Sequence, residues 1–168
     1  MPLHPLVVHF PIVLAVMTPI AFIVAGIMSK KTENPKSLWI ATTALCVFFS
    51  ASAFITMELG EQDEEIVEKV ISEKTIENHS DWAEAFTWAT LAPLLFSGLM
   101  VAKNNSWLKP AAIVSSLVVL GLGVQTGHSG GELVYKHNAA QAYVSKQALA
   151  QKQAAPDAVT KERRDDDD

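Results

Sequence analysis

The chain has a single cysteine, Cys46, in 168 residues. An internal disulfide, a Cys-pair metal site and the Cys-x-x-Cys-His attachment of a covalent haem are therefore excluded. No glycine-rich phosphate loop is present. Basic charge is scarce: 13 Lys and Arg against 18 Asp and Glu leave a net charge of −5, the wrong sign for a nucleic-acid surface. No charged residue lies near the middle of the long apolar runs, and the runs show no obvious internal repeat, so an ion-coupled transporter has little to work with. No nucleophile–base constellation argues for a hydrolase. Histidine occurs only as His4, His9, His79, His128 and His137.

What the chain has in quantity is apolar sequence, 49% of its residues. Four runs stand out, about 6–28, 38–57, 82–102 and 107–126, each near the roughly 20 helical residues that cross a hydrocarbon core. The expected fold is an all-α, integral membrane four-helix bundle in the lipid bilayer, formed by residues 1–140, with a polar tail at 141–168. Pro11, Pro19, Pro93 and Pro110 are tolerable because neighbouring helices satisfy freed carbonyls in a membrane. The N-terminal run lacks a basic leader and continues for a full crossing, so it is expected to stay rather than be cleaved. Cys46 reads as a small core residue.

Loop charge sets an expected orientation. The first and third connections carry Lys30, Lys31, Lys36, Lys103 and Lys109 against one acid, Glu33, and belong in the cytoplasm by the positive-inside rule. The second carries Glu61, Asp63, Glu64, Glu65, Glu68, Glu73 and Glu77 against Lys69 and Lys74. Both termini then face the periplasm across a bacterial inner membrane, with Trp39 and Trp107 at the inner interface and Trp82 at the outer one. Ile66, Val67, Val70 and Ile71 at helical spacing predict a short amphipathic helix over 64–77, lying on the outer surface. The run Asp165–Asp168 carries no function here.

In this topology all five histidines fall at one end of the bundle. Imidazole is the commonest protein ligand of transition metals, and ionisable groups at membrane depth point to function. Counting 1.5 Å per residue from the inner ends places His9 and His128 at similar depth, about 28 and 32 Å along their helices. His4 and His79 lie about one turn further out, and His137 beyond them by an amount set by whether Gly130–Gly131 continues the helix. His4 and His9 are turned about 140° apart, so one iron cannot take both. Gly121, Gly123, Gly127, Gly130 and Gly131 allow either close helix packing, including a homodimer, or a macrocycle against the backbone. Thr126, Ser129, Tyr135 and Lys136 could hydrogen-bond an imidazole or a propionate. Glu58, Glu84 and Glu132 lie near the outer boundary, as solvated carboxylates or as acceptors of a quinol proton.

The segments His4-Pro5-Leu6-Val7-Val8-His9-Phe10-Pro11 and Thr126-Gly127-His128-Ser129-Gly130-Gly131-Glu132-Leu133-Val134-Tyr135-Lys136-His137 resemble the two signatures of a bacterial membrane family catalogued as domain of unknown function 2231. The resemblance covers about residues 3–140. In that family similar domains occur fused to cytochrome c-like or Rieske-like domains, which implies electron transfer and b-type haem. Asn138-Ala139-Ala140 departs from the Gly-Val-Gly-like stretch that often follows the last histidine there.

The expected function is a b-type cytochrome-like electron-transfer module, an electron carrier more than a stand-alone enzyme. It would hold one or two haem b groups near the periplasmic face. His9 and His128 are the preferred axial ligands, with His79, His4 and His137 as a second pair or second-shell network. Its expected partners are a periplasmic redox protein such as a c-type cytochrome, steered by the acidic loop, and quinone. Two alternatives stay open: a non-haem Zn, Fe or Cu site, and a non-redox anchoring or assembly subunit of a respiratory complex.

Overall fold

The computed structural model describes residues 3–103 and 105–144. Six helices make four long legs: α1 (His4–Val7) with α2 (His9–Met28), α3 (Pro35–Val67), α4 (Glu73–Ala89) with α5 (Leu91–Lys103), and α6 (Leu108–Tyr135). The legs span 25, 33, 31 and 28 residues and are apolar enough to cross a membrane, so this is a multi-pass membrane protein. Each leg packs on the next and the fourth closes back on the first. The lysine loops gather at one end of the ring and the histidines at the other.

Two legs are interrupted, and proline explains both. Pro11 has no N–H for the Val7 carbonyl, and α1 ends at Val7; Pro93 has none for Ala89, where α4 ends. At the second break the Thr90 hydroxyl donates to the Thr87 carbonyl at 2.7 Å. Pro35 instead occupies the first turn of α3, where a missing N–H costs nothing.

The surface toward the bilayer is apolar: Val16, Ile20, Ile23, Phe48, Ile55, Leu95, Leu117 and Val124 all stand outward. Inside, hydroxyls are common, and most are disposed of locally. Thr18 donates to Leu14, Thr42 to Trp39, Ser52 to Phe49, Thr56 to Ser52 and Ser116 to Ile113, all backbone carbonyls of their own helices. Helices so lined approach closely with these hydroxyls satisfied. Two apolar layers fill the middle: Leu14, Ala15, Phe49, Ala53, Phe86 and Val119, then Phe22, Ala25, Trp39, Cys46, Met100 and Ala112. At the lysine end the Lys109 ammonium sits 5.7 Å over the Trp39 ring and donates to Ser29 Oγ at 3.2 Å, tying three legs together.

The first and second halves of the ring share one register. Thr42, Cys46 and Phe49 are buried on α3, and at one constant spacing Ala112, Ser116 and Val119 are buried on α6. At another constant spacing Pro11, Ala15, Thr18, Phe22 and Ala25 correspond to Phe86, Thr90, Pro93, Ser97 and Met100. The fold is thus two helical hairpins repeated in parallel about the bundle axis. The residue types differ at nearly every matched position, which is why the sequence showed no repeat.

Two features differ from the sequence expectation, and a third answers a question it left open. No separate helix forms over 64–77: its start finishes α3 and its end begins α4, joined by a turn in which the amide of Ile71 donates to the Val67 carbonyl at 3.1 Å. Two of the apolar positions that suggested a surface helix, Val67 and Ile71, instead join a third core layer, where Ile71 and Ile76 meet Leu133 and Ala139. Gly130 and Gly131 continue α6 to Tyr135. The packed chain also runs past residue 140. Asn138 turns it back in the left-handed region (φ 56°), and Ala139 and Ala142 are buried. The rest of the expected tail, including Asp165–Asp168, lies outside the described residues.

The returning segment sets Tyr143 against Asp63. Burial first, and then the neighbouring carboxylate, push the Tyr143 phenol up to about 12. A folded-state value above the ordinary one near 10 means that this contact contributes fully below pH 10 and is lost as pH rises through 12. Tyrosinate absorbance should show a transition near pH 12 that vanishes in Tyr143→Phe.

Close packing yields a second expectation. A Cβ at Gly123 would lie 2.9 Å from Phe86 Cε2, and that ring is wedged against Phe49 with centroids 5.9 Å apart. Gly123→Ala should destabilise the bundle by about 1–3 kcal/mol in a detergent unfolding titration. Gly121→Ala, which meets nothing within 4 Å, should be close to neutral.

Candidate functional site

Of the five histidines, two turn inward. His4 opens the first leg, and its ring reaches across to α3, where Nδ1 lies 2.9 Å from the Thr56 carbonyl. A carbonyl only accepts, so Nδ1 carries the proton and Nε2 is left as a bare lone pair. His79, two turns into α4, reaches α6: Nδ1 lies 2.9 Å from Ser129 Oγ. The single proton of Ser129 is already given to the Thr126 carbonyl at 3.0 Å, so its oxygen accepts from His79. Nε2 of His79 is bare as well. Anchoring one ring nitrogen to leave the other free is how proteins present histidine to a metal.

Glycine makes the room. A Cβ at Gly60 would come within 3.2 Å of the His4 ring, and one at Gly130 within 3.0 Å of His79 Cε1. Thr56 and Gly60 stand one turn apart on α3, as Thr126 and Gly130 do on α6, so each imidazole lies in a seat with the pattern Thr-x-x-x-Gly. The two histidines are themselves matched by the spacing that relates Ala25 to Met100. They come from diagonally opposed legs, at matched positions of the repeat. At the same end of the bundle Ile71, Ile76, Leu133 and Ala139 form an apolar layer.

Depth along the helices favoured His9 and His128, and the structure does not bring them together. His9 is exposed on the side of α2 opposite the buried stripe Pro11, Leu14, Ala15, Thr18 and Phe22. His128 has 67% of its side chain exposed and meets Glu132 at 3.5 Å, which also pairs with Lys136. The physical reason is rotation: the face on which a residue lies decides, and equal depth does not. The hairpin repeat adds a second reason, since it matches His9 with Glu84 and His128 with Glu58. All four are exposed, so these places call for an interfacial polar group and not for histidine in particular.

The remaining expected site residues divide cleanly. Thr126 belongs to the His79 seat, and its hydroxyl also lies 2.9 Å from the Trp82 carbonyl. Tyr135 is 87% exposed, and Lys136 serves Glu132 on the outer face. His137 is exposed beyond the end of α6, its amide donating to the Glu132 carbonyl at 3.2 Å. Glu58 and Glu84 stand outward, away from the imidazole pair. Thr56 and Gly60 went unnoticed in the sequence; the repeated Thr-x-x-x-Gly pattern was the signal for them.

Among the described residues no group of three or more His, Cys, Asp or Glu side chains is placed to hold a metal ion. Two grooves open on the bundle surface, of about 390 and 180 Å³. The first is lined by Ile40, Thr43, Ala44, Val47, Gly98 and Val101, the second by Val7, Phe10, Phe48, Ala51, Ser52 and Ile55, and neither contains a histidine.

The model of a family described as predicted membrane protein (DUF2231) matches residues 1–142. The chain belongs to the DUF2231 family. That match covers all four legs, both imidazole seats and the returning segment through Ala142. No curated protein and no solved structure shows a significant match. DUF2231 membership establishes a membrane protein and carries no ligand with it.

Proposed function

We propose that the chain is an electron-transfer module of a bacterial inner membrane, with a b-type haem held between His4 and His79 near the periplasmic face. The observation that carries this reading is the pair of bare Nε2 atoms on diagonally opposed legs. Donor count favours haem over the Zn, Fe or Cu alternatives. A simple Zn site takes three or four protein donors, whereas an iron porphyrin would need only one or two. When bound, the haem iron supplies one-electron exchange, and two imidazoles leave it no open position for oxygen.

The chain's own residues do the rest. The Thr56 carbonyl and Ser129 hydroxyl hold the Nδ1 protons, which fixes ring orientation and tautomer and raises the basicity of Nε2. The layer of Ile71, Ile76, Leu133 and Ala139 packs the same end of the bundle. Around it stand the exposed acids Glu61, Glu65, Glu68, Glu73, Glu77 and Asp81, a field that attracts a basic partner such as a c-type cytochrome. Quinone is the second expected partner, on the membrane side. The lysine loops at the other end support periplasmic termini.

Substitution of each histidine separates this assignment from the one based on depth. His4→Ala and His79→Ala should each abolish the low-spin b-haem spectrum of the purified protein. His9→Ala and His128→Ala should keep it. Loss in the second pair and retention in the first would overturn the assignment.

A further inference from the structure

The seats of the two imidazoles are one structure used twice. On α3 the sequence Thr56-Met57-Glu58-Leu59-Gly60 gives His4 a carbonyl at the threonine and bare backbone at the glycine, one turn on. On α6 the sequence Thr126-Gly127-His128-Ser129-Gly130 does the same for His79, with Ser129 interposed at the acceptor. The segments occupy matched positions of the hairpin repeat, and so do the two histidines. Two imidazoles related by a repeat about the bundle axis lie on opposite sides of that axis. Their common ligand belongs on the axis, and one ligand satisfies both.

We infer that Thr56–Gly60 and Thr126–Gly130 are the equivalent halves of a single pseudo-two-fold seat, that the chain holds one centre and not two, and that Gly60 and Gly130 are its positioning residues. The single centre rests on the haem reading above; the equivalence of the seats does not. Neither glycine is used for backbone freedom, since no glycine here has positive φ. Each is small because a ring lies on it. A methyl at either place pushes its imidazole aside by a few tenths of an ångström, and displaced orientation of a ligand histidine weakens metal binding by about 10–100-fold.

The test uses Gly60→Ala and Gly130→Ala, with Gly127→Ala as a control whose added methyl meets nothing within 4 Å. In detergent-solubilised protein made without haem and labelled with ¹⁵N-histidine, His4 and His79 should both show a protonated Nδ1 and a bare Nε2. Gly60→Ala should move the His4 signals alone, Gly130→Ala the His79 signals alone, and the control neither. After titration with haemin, wild type should bind one haem per chain. Both variants should bind that haem at least about tenfold more weakly and shift the same optical bands.

Two haems per chain, each answering to one glycine, would overturn the shared centre. Silence of either glycine in the nitrogen spectrum would overturn its positioning role. Wild type that takes up no haem would refute the electron-transfer reading and the shared centre with it, and the nitrogen spectrum alone would then judge the seats. Should Gly130→Ala fail to fold by gel filtration, Gly60→Ala against its control carries the same decision.

Discussion

A bilayer offers no water to hydrogen-bond with, so polar atoms inside this bundle are driven to partners in the protein, with Trp39 Nε1 left as an exception. That constraint shapes the chain at each level. It makes the legs helical, and it sends the hydroxyls of Thr18, Ser52, Thr56 and Ser116 back onto their own helices. At the second proline break the Thr90 hydroxyl likewise turns back onto its own helix. Against this background the Nε2 atoms of His4 and His79 stand out. Half of each imidazole is tied down with care, and the other half is left with a lone pair and no partner.

The same constraint accounts for the glycines. Close approach of α4 to α6 at Phe86 and Gly123, and of rings to backbone at Gly60 and Gly130, is what lets large side chains lie flat between helices. Gly121 and Gly127 face open space, so the run of glycines along α6 is two populations with different work. The repeat of hairpins places both seats at one depth without further adjustment. Once one hairpin holds an imidazole correctly, its partner inherits the position.

Much of this was readable in the chain. Four apolar runs gave four legs, and the five-residue separation of His4 and His9 already required that only one of them face inward. Choosing between them needed rotation, and depth alone favoured residues that the structure turns outward. Pro11 and Phe22 on α2, and Ser116 and Val119 on α6, define the buried stripes from which His9 and His128 are turned away. Ile66, Val67, Val70 and Ile71 had the spacing of a surface helix, yet Leu133 and Ala139, distant in sequence, supply the layer that takes up Val67 and Ile71. The repeat escaped notice because it conserves burial and not residue type: Cys46 answers to Ser116, and Phe49 to Val119.

The central claim is that the imidazole pair holds one haem. Its most direct test is the optical spectrum of detergent-purified protein, expressed with ample haem, recorded oxidised and dithionite-reduced, with a pyridine haemochrome assay for stoichiometry. The account predicts a Soret band, sharp reduced α and β bands, and one haem per chain. Protein that is stably folded and shows no Soret absorbance would contradict it.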